Sequence, residues 1–194
     1  MNFKALTIGL AVASAATLSM AKPVAYQIDP THTATVFSWS HFGFSTPSAN
    51  FSDIQGTINV DNAKPENSSV NVTIPLSSLN TNVKALDEHL QKADFFDAAK
   101  YPNITFKSTK VQAAGKNKYK ITGNLTVKDV TKPVVLDAVL NKQGVHTMTK
   151  AESIGFNATT SFNRSAFGVG AYVPNVGDKI TVNITTEASV PAAK

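Results

Sequence analysis

The feature that most constrains the fold is an alternation of apolar and polar residues with a period of two. It is clearest in the segments 70–76, 118–128 and 180–185, where every second side chain is apolar. Successive side chains of a β-strand point to opposite faces of the sheet. The alternation therefore predicts strands with one buried face and one solvated face.

Weaker alternation predicts further strands, at residues 25–29, 33–42, 51–60, 104–111, 134–140 and 154–162. Turn-forming residues separate the segments, at 29–30, 46–48, 62–67, 114–117, 142–144 and 175–178. Eight or nine strands with short connections indicate an all-β meander or barrel. Because no charged or proline-rich linker divides them, we predict a single domain over residues 22–194.

One segment departs from this period, between the strands that end near Leu79 and begin near Ile104. Asn82 is predicted to cap a short helix in which Val83, Leu86 and Leu90 recur at helical spacing. Two phenylalanines at 95–96 follow the helix. The helix is interpreted either as a lid over one end of a barrel or as a plug of its bottom.

A barrel is favoured because an open sheet leaves unpaired backbone groups along its edges. About eight strands enclose an interior that either packs its own side chains or holds one small ligand. Small or polar positions next to aromatic ones predict room inside, although glycine also marks bulges. These positions are Ala34, Ser38, Ser40, Gly56 and Gly123, beside Phe37, Trp39, Phe42 and Phe106.

The first 21 residues have the pattern of a secretory signal peptide. Lys4 precedes an apolar stretch from about residue 5 to 16, and Ser19 and Ala21 provide the small residues before cleavage. We predict cleavage after Ala21. The apolar stretch is too short to span a membrane, and the chain has no cysteine for disulfides or lipid attachment. The expected location is the bacterial periplasm.

The charge of the chain is modest. It is +5, and removal of Lys4 with the leader lowers it to +4. The densest group of lysines is Lys107, Lys110, Lys116, Lys118, Lys120, Lys128 and Lys132. This group is interpreted as a solvated strand face; transient attraction to an anionic membrane surface is the alternative. No nucleic-acid partner is expected.

The sequence offers little for catalysis or metal binding. His32 and His41 are an odd number of residues apart, so in one unbroken strand they face opposite sides. The chain has no Gly-x-Ser-x-Gly turn, and Asp29, Asp53 and Asp97 border turns or the helix. We therefore predict no metal site, no cofactor and no enzyme. A catalytic barrel acting on a small amide, ester or quinone stays open as an alternative, because a site assembled in space leaves no motif.

Four stretches of the chain resemble the YceI-like family. Residues 26–33 read YQIDPTHT and residues 37–44 read FSWSHFGF. Residues 96–108 read FDAAKYPNITFKS and residues 119–134 read YKITGNLTVKDVTKPV. The resemblance implies a lipocalin-like, eight-stranded antiparallel barrel with the short helix covering one end. It also implies an elongated cavity for a polyisoprenoid, such as a prenyl quinone or prenyl phosphate, or a similar long amphiphile.

Under this resemblance we predict a periplasmic carrier that holds an apolar lipid. The predicted apolar liners are Phe37, Trp39, Phe42, Phe44, Leu86, Leu90, Phe95, Phe96, Phe106 and Phe167. The predicted polar contacts are His41, Tyr172 and Arg164, the last of which lies in a family-like NRSAFG segment at 163–168. A homodimer and a partner-binding module of a stress-response or electron-transfer system remain open.

Overall fold

The structure is a computed structural model that describes residues 22–192. The predicted leader and its cleavage after Ala21 lie outside the described residues. Within residues 22–192, no helix has the length and apolar character needed to cross a membrane.

The described chain consists mainly of β-strands. The strands are β1 (Val24–Ile28), β2 (Ala34–Ser38), β3 (Ser48–Phe51), β4 (Gln55–Val60), β5 (Ser69–Pro75), β6 (Leu79–Asn80), β7 (Asn103–Ala113), β8 (Lys118–Val127), β9 (Val130–Val145), β10 (Glu152–Asn163) and β11 (Lys179–Ser189). One α-helix, α1 (Lys84–Leu90), lies between β6 and β7. Short 3-10 turns occupy residues 30–32, 65–67, 76–78 and 164–167.

These strands form a closed antiparallel barrel. Its order is β1-β4-β5-β7-β8-β9-β10-β11, and pairing of β1 with β11 closes the ring of eight. β2 also pairs with β11, beyond the 3-10 turn at residues 30–32, so β1 and β2 follow one another along the same neighbour. β3 and β6 continue outward from β2. The predicted eight-stranded, lipocalin-like barrel is confirmed.

Three predicted strands differ from the structure. The strand expected over 51–60 is interrupted, because β3 ends at Phe51 and β4 begins at Gln55, with Asp53 at a φ of 51° between them. The strand expected over 33–42 ends at Ser38, because the chain turns between His41 and Ser45 and Phe42 has a φ of 51°. The break expected at 142–144 lies inside β9, and the turn comes later, at residues 146–151. The pairing of β9 with β10 continues past this stretch, because its register shifts next to Gly155.

The predicted cap of the helix was wrong. Asn82 has a left-handed φ of 62° and makes no cap. Instead, the Thr81 hydroxyl accepts a hydrogen bond from the Val83 N–H at 3.2 Å. The Asp87 carboxylate accepts one from the Thr81 N–H at 2.7 Å. These two hydrogen bonds hold the turn that precedes α1, whose N-cap residue, Val83, has no side-chain capping hydrogen bond.

One end of the barrel, the base, is closed by side chains from the strands. Tyr26 and Ala188 are fully buried there, and Ile28, Ile58 and Ile154 pack with them. The Tyr26 hydroxyl donates to the Glu152 carboxylate at 2.7 Å and accepts from the Gln143 amide at 2.9 Å. Burial, together with the Glu152 carboxylate, raises the pKa of Tyr26. The phenol is therefore neutral and fully hydrogen-bonded at the base.

The predicted lysine group lies on the outside of the barrel. Its members are on β7, β8, β9 and their connections, and all are exposed except Lys128, which is half-buried. Lys120 forms an ion pair with Asp137 at 2.6 Å, and the Lys128 ammonium donates to the carbonyl of Ala93 at 3.3 Å. This placement matches a solvated strand face.

Candidate ligand-binding cavity

The barrel encloses a cavity of about 690 Å³. This volume is within the range of pockets that bind small molecules. The inward residues of β10 mark its extent, because Phe156 and Phe162 both line it and are six positions apart. At about 3.3 Å per residue, the lined length along this strand is about 20 Å. The cavity is therefore long enough for an extended hydrocarbon chain of about this length.

Most of the wall is hydrocarbon. The strands β4, β5, β7, β8 and β9 contribute only apolar side chains, namely Ile58, Val70, Val72, Ile74, Ile104, Phe106, Ile121, Leu125, Val127, Val134, Leu136 and Ala138. Period-two alternation puts these side chains on the inner face. The Phe106 ring lies where any side chain at Gly123 would clash with it. Glycine at 123 thus makes room for an aromatic ring and not for the ligand.

The only hydroxyls from strands lie on the opposite wall, on β10, on β11 and around β2. Thr33, Thr35, Thr160 and Thr186 line the cavity there. The hydroxyls of Thr33 and Thr186 are 3.0 Å apart and satisfy one another. Within residues 22–192, no aspartate or glutamate lines the cavity. The interior therefore suits an apolar molecule that carries few polar groups.

The other end of the barrel, the mouth, is built by three connecting segments. They are residues 39–47, residues 81–102 with α1, and residues 164–178. Aromatic contacts join the second segment to the third: the Tyr172 ring centroid lies 6.1 Å from that of Phe95 and 6.4 Å from that of His89. Leu86 and Leu90 of α1 line the cavity. The helix therefore covers the mouth and is distant from the base.

Arg164 lies in the wall at the mouth with only 8% of its surface exposed. Its guanidinium donates to the backbone carbonyls of Val169, Val176 and Gly177, the last at 3.0 Å. Burial lowers the pKa of Arg164, but arginine remains charged in proteins. Within residues 22–192, no carboxylate forms a direct ion pair with Arg164, although the charge of Asp178 acts on it and opposes the lowering of its pKa. Arg164 thus joins the start of the mouth segment 164–178 to its end by hydrogen bonds, and it places a positive charge beside the cavity.

The structure gathers nearly all of the predicted site residues around this cavity. Those that line it are Phe37, Trp39, His41, Phe42, Leu86, Leu90, Phe95, Phe96, Phe106, Arg164, Phe167 and Tyr172. Phe44 does not line it: its side chain is 93% exposed, just before Ser45 in the turn after β2. We withdraw Phe44 from the set. Contact of the others with a ligand stays a prediction.

The small residues expected inside β2 and β4 do not create the cavity. Odd-numbered residues around β2 line it, from Thr33 to His41, so Ala34, Ser38 and Ser40 are not part of the lining. At Gly56, a side chain would clash with the Asn71 carbonyl of β5. The glycine is needed for this close approach of two strands.

Sequence reasoning missed most of the aliphatic wall and three phenylalanines, Phe51, Phe156 and Phe162. For the last two, the signal was present in the alternation of β10, where residues 156, 158, 160 and 162 all face inward. These positions were missed because the predicted site residues were mainly aromatic and came from the segments that resemble the family.

The two histidines near β2 are separated by the cavity wall. His41 lines the cavity, whereas His32 lies outside in the 3-10 turn and contacts the Asp29 carboxylate at 2.8 Å. Among residues 22–192, no three histidine, aspartate or glutamate side chains are placed to share a metal ion.

Comparison with known proteins shows which family and which solved structures this chain resembles. Residues 26–188 match the profile of the YceI-like domain. A UPF0312 protein of Pseudomonas putida is 38% identical over 170 residues, which cover 87% of this chain and 86% of that protein. BcnA of Burkholderia cenocepacia superposes with a TM-score of 0.75 at 25% identity, covering 83% of this chain and 99% of BcnA. A polyisoprenoid-binding domain from Saccharophagus degradans shares the fold with a TM-score of 0.68 at 14% identity, covering 87% of this chain and 99% of that domain.

Proposed function

The chain belongs to the YceI-like domain family, and we propose that it is a periplasmic carrier that holds one long polyisoprenoid or similar amphiphile in its barrel. The observation that carries this proposal is the cavity of about 690 Å³, with its hydrocarbon wall and its closed base. The Saccharophagus degradans neighbour, a polyisoprenoid-binding domain, supports the choice of ligand class.

The apolar tail of such a ligand provides the affinity. Each buried methylene contributes about 0.8 kcal/mol. Association costs an estimated 4–15 kcal/mol in lost freedom of motion. Several isoprene units, each with five carbons, exceed that cost, so a hydrocarbon wall is sufficient for binding. Polar contacts then set the direction in which the ligand enters.

We place the head group at the mouth. Among residues 22–192, Arg164 is the only lysine, arginine, aspartate or glutamate that lines the cavity, and the Asp178 carboxylate that interacts with it electrostatically forms no direct ion pair with it. His41 and Tyr172 line the cavity at the same end. A quinone carbonyl or a phosphate oxygen accepts hydrogen bonds from such groups. The tail then extends toward the base.

Binding is favoured over catalysis. General acid–base chemistry at an apolar site commonly uses a carboxylate or a histidine with an orienting partner. Among residues 22–192, no carboxylate lines the cavity, and the strands contribute no titratable side chain to its wall. The two lining histidines, His41 and His89, lie at the mouth, where His89 contacts the Asp94 carboxylate at 3.2 Å. The His32–Asp29 pair lies outside the cavity. The lipid is then bound and released unchanged, and this function requires no cofactor.

The predicted signal peptide supports a periplasmic location, in which the carrier takes its lipid from a membrane by brief contact. Phe42 and Tyr172 are 53% and 61% exposed at the mouth, where such contact would occur. Dimer formation is not needed for this function, because one chain completes the barrel.

The test uses Trp39, the only tryptophan in the chain, which lines the cavity and stacks on Phe37. Phosphatidylcholine vesicles containing ubiquinone are mixed with the purified protein and then removed by centrifugation. We expect quenching of Trp39 emission and retention of quinone with the protein. Absence of both would contradict the proposal.

A pair of neighbouring variants on β10 gives the control. Ala158 lines the cavity, and Thr159 is the next residue, on the outer face. Ala158→Phe places a ring where the tail lies and should lower quinone retention about tenfold, because the ring displaces about two methylene contacts. Thr159→Phe adds the same ring outside and should bind quinone as the wild type does. Equal binding by both variants would place the quinone outside the barrel.

A further inference from the structure

A second, smaller cavity lies at the base of the barrel. Its volume is about 40 Å³. On the barrel side it is lined by apolar residues that include Tyr119, Leu140 and Ile154, and on the side of the β4–β5 loop its lining includes the polar residues Asn59, Asp61, Asn62 and Ser68. That loop is closed on itself, since the Asp61 carboxylate accepts hydrogen bonds from the Lys64 N–H at 2.8 Å and from the Asn67 amide at 3.0 Å. The small cavity therefore lies between the loop and the interior of the barrel.

Only one layer of side chains separates the two cavities. Four residues line both: Ile58, Val70, Ile121 and Phe156. Each comes from a different strand, β4, β5, β8 and β10. Ile58 and Val70 are direct partners across the β4–β5 ladder, so they lie at the same level. We call these four residues the partition.

Phe156 is the largest member of the partition and its only aromatic ring. On the small-cavity side its ring meets Tyr119 edge to face, with centroids 6.4 Å apart. On the main-cavity side it lies below Ala158, which leaves space above it. Among the lining residues of β10, Phe156 is the one nearest the base, so the last carbons of a chain that extends along this strand from the mouth reach its ring.

We propose that the Phe156 ring sets the maximum length of the chain that the barrel accepts, and that the small cavity behind it is an unused extension of the ligand site. This inference rests on the proposed function, because it concerns the tail of the same ligand. Replacing the ring by a methyl group joins the two cavities into one longer site. Chains that are too long for the wild type then gain buried methylenes.

The size of the effect follows from the burial of hydrocarbon. One additional methylene in an apolar site improves binding about fourfold. Phe156→Ala should therefore raise the ratio of long to short chains retained by at least about fourfold for each methylene that the joined cavity admits. Phe156→Trp should lower the same ratio, because a larger ring moves the end of the site toward the mouth.

The experiment offers the purified protein an equimolar mixture of geraniol, farnesol, geranylgeraniol and solanesol in phosphatidylcholine vesicles. Retained alcohols are extracted and quantified by mass spectrometry. Phe162→Ala is the matched control, because Phe162 is also inward on β10 but lies at the mouth, where its ring contacts Phe167. It removes the same ring without reaching the small cavity. Total binding should fall in this control while the length ratio stays that of the wild type.

The outcomes separate the two proposals. If the wild type retains none of the alcohols, the proposed function fails. If the wild type retains them but Phe156→Ala keeps the wild-type length ratio, the partition does not set the length and this inference is wrong. If Phe156→Ala does not fold, Phe156→Leu replaces it, and an unchanged ratio in Phe156→Leu and in Phe156→Trp overturns the inference equally.

Discussion

The base and the mouth of the barrel are closed by different parts of the chain. At the base, strand side chains meet around the fully buried Tyr26. At the mouth, three segments at 39–47, 81–102 and 164–178 extend past the strands and leave Phe42 and Tyr172 more than half exposed. The strands alternate in the same way at both ends. The lengths of the connections, and not the composition of the strands, thus decide which end opens.

The first prediction compares the stabilities of the two ends. Tyr26→Ala removes a fully buried ring and leaves Glu152 and Gln143 without their partner, so the free energy of unfolding should fall by about 3–5 kcal/mol. Trp39→Ala at the mouth should cost only about 1 kcal/mol, because one side of that ring already faces the cavity. Urea unfolding measures both. Equal losses would mean that the mouth is as tightly packed as the base.

The second prediction concerns how the mouth is held. Arg164→Lys keeps the charge but cannot reach three carbonyl groups at once, so it should lower the free energy of unfolding by about 1–3 kcal/mol. Amide hydrogen exchange in residues 164–178 should rise more than exchange at Tyr26 and its neighbours, which rises only through the loss of global stability. A uniform rise over the whole barrel would contradict a role confined to the mouth.

The third and smallest prediction concerns pH and the turn between β1 and β2. Hydrogen bonds from the Thr31 hydroxyl and the His32 ring lower the pKa of Asp29 from 3.8 to about 2. Because the pKa is lower in the folded chain, the stabilisation is complete above a pH of about 4 and is lost as the pH falls through about 2. Asp29 is 39% exposed, so the effect should stay below about 1 kcal/mol.

Thermal unfolding between these pH values tests the Asp29 prediction. Asp29→Asn should flatten the acid limb of the curve of Tm against pH. Hydrogen bonding to Asp29 also raises the pKa of His32, so the His32 contribution is present at low pH and is lost as the pH rises through that raised pKa. An Asp29→Asn curve that matched the wild type over the acid range would contradict the prediction.

The barrel and much of its lining were predictable because period-two alternation is a local property of each strand. The inward face of β5, with Val70, Val72 and Ile74, follows directly from it. The parity of His32 and His41 was less informative, because it assumed an unbroken strand and the 3-10 turn interrupts it at His32. Alternation identifies faces but not the positions where a strand ends.

Other features depend on contacts between distant residues, and for that reason the sequence did not predict them. The backbone contacts of Arg164 require Val176 and Gly177 to fold back beside it. Phe44 resembled the neighbouring aromatic residues in sequence but lies in a turn with its ring in solvent. The partition at Phe156 requires side chains from four strands to meet at one level.

The most direct test of the central claim is native mass spectrometry of the chain purified from a bacterial periplasm. If the barrel holds one lipid tail, the protein should carry a single adduct that organic solvent removes, and Ala158→Phe prepared in parallel should carry much less of it. A wild-type protein that has no adduct after purification, and gains none after incubation with a prenyl quinone, would contradict the claim.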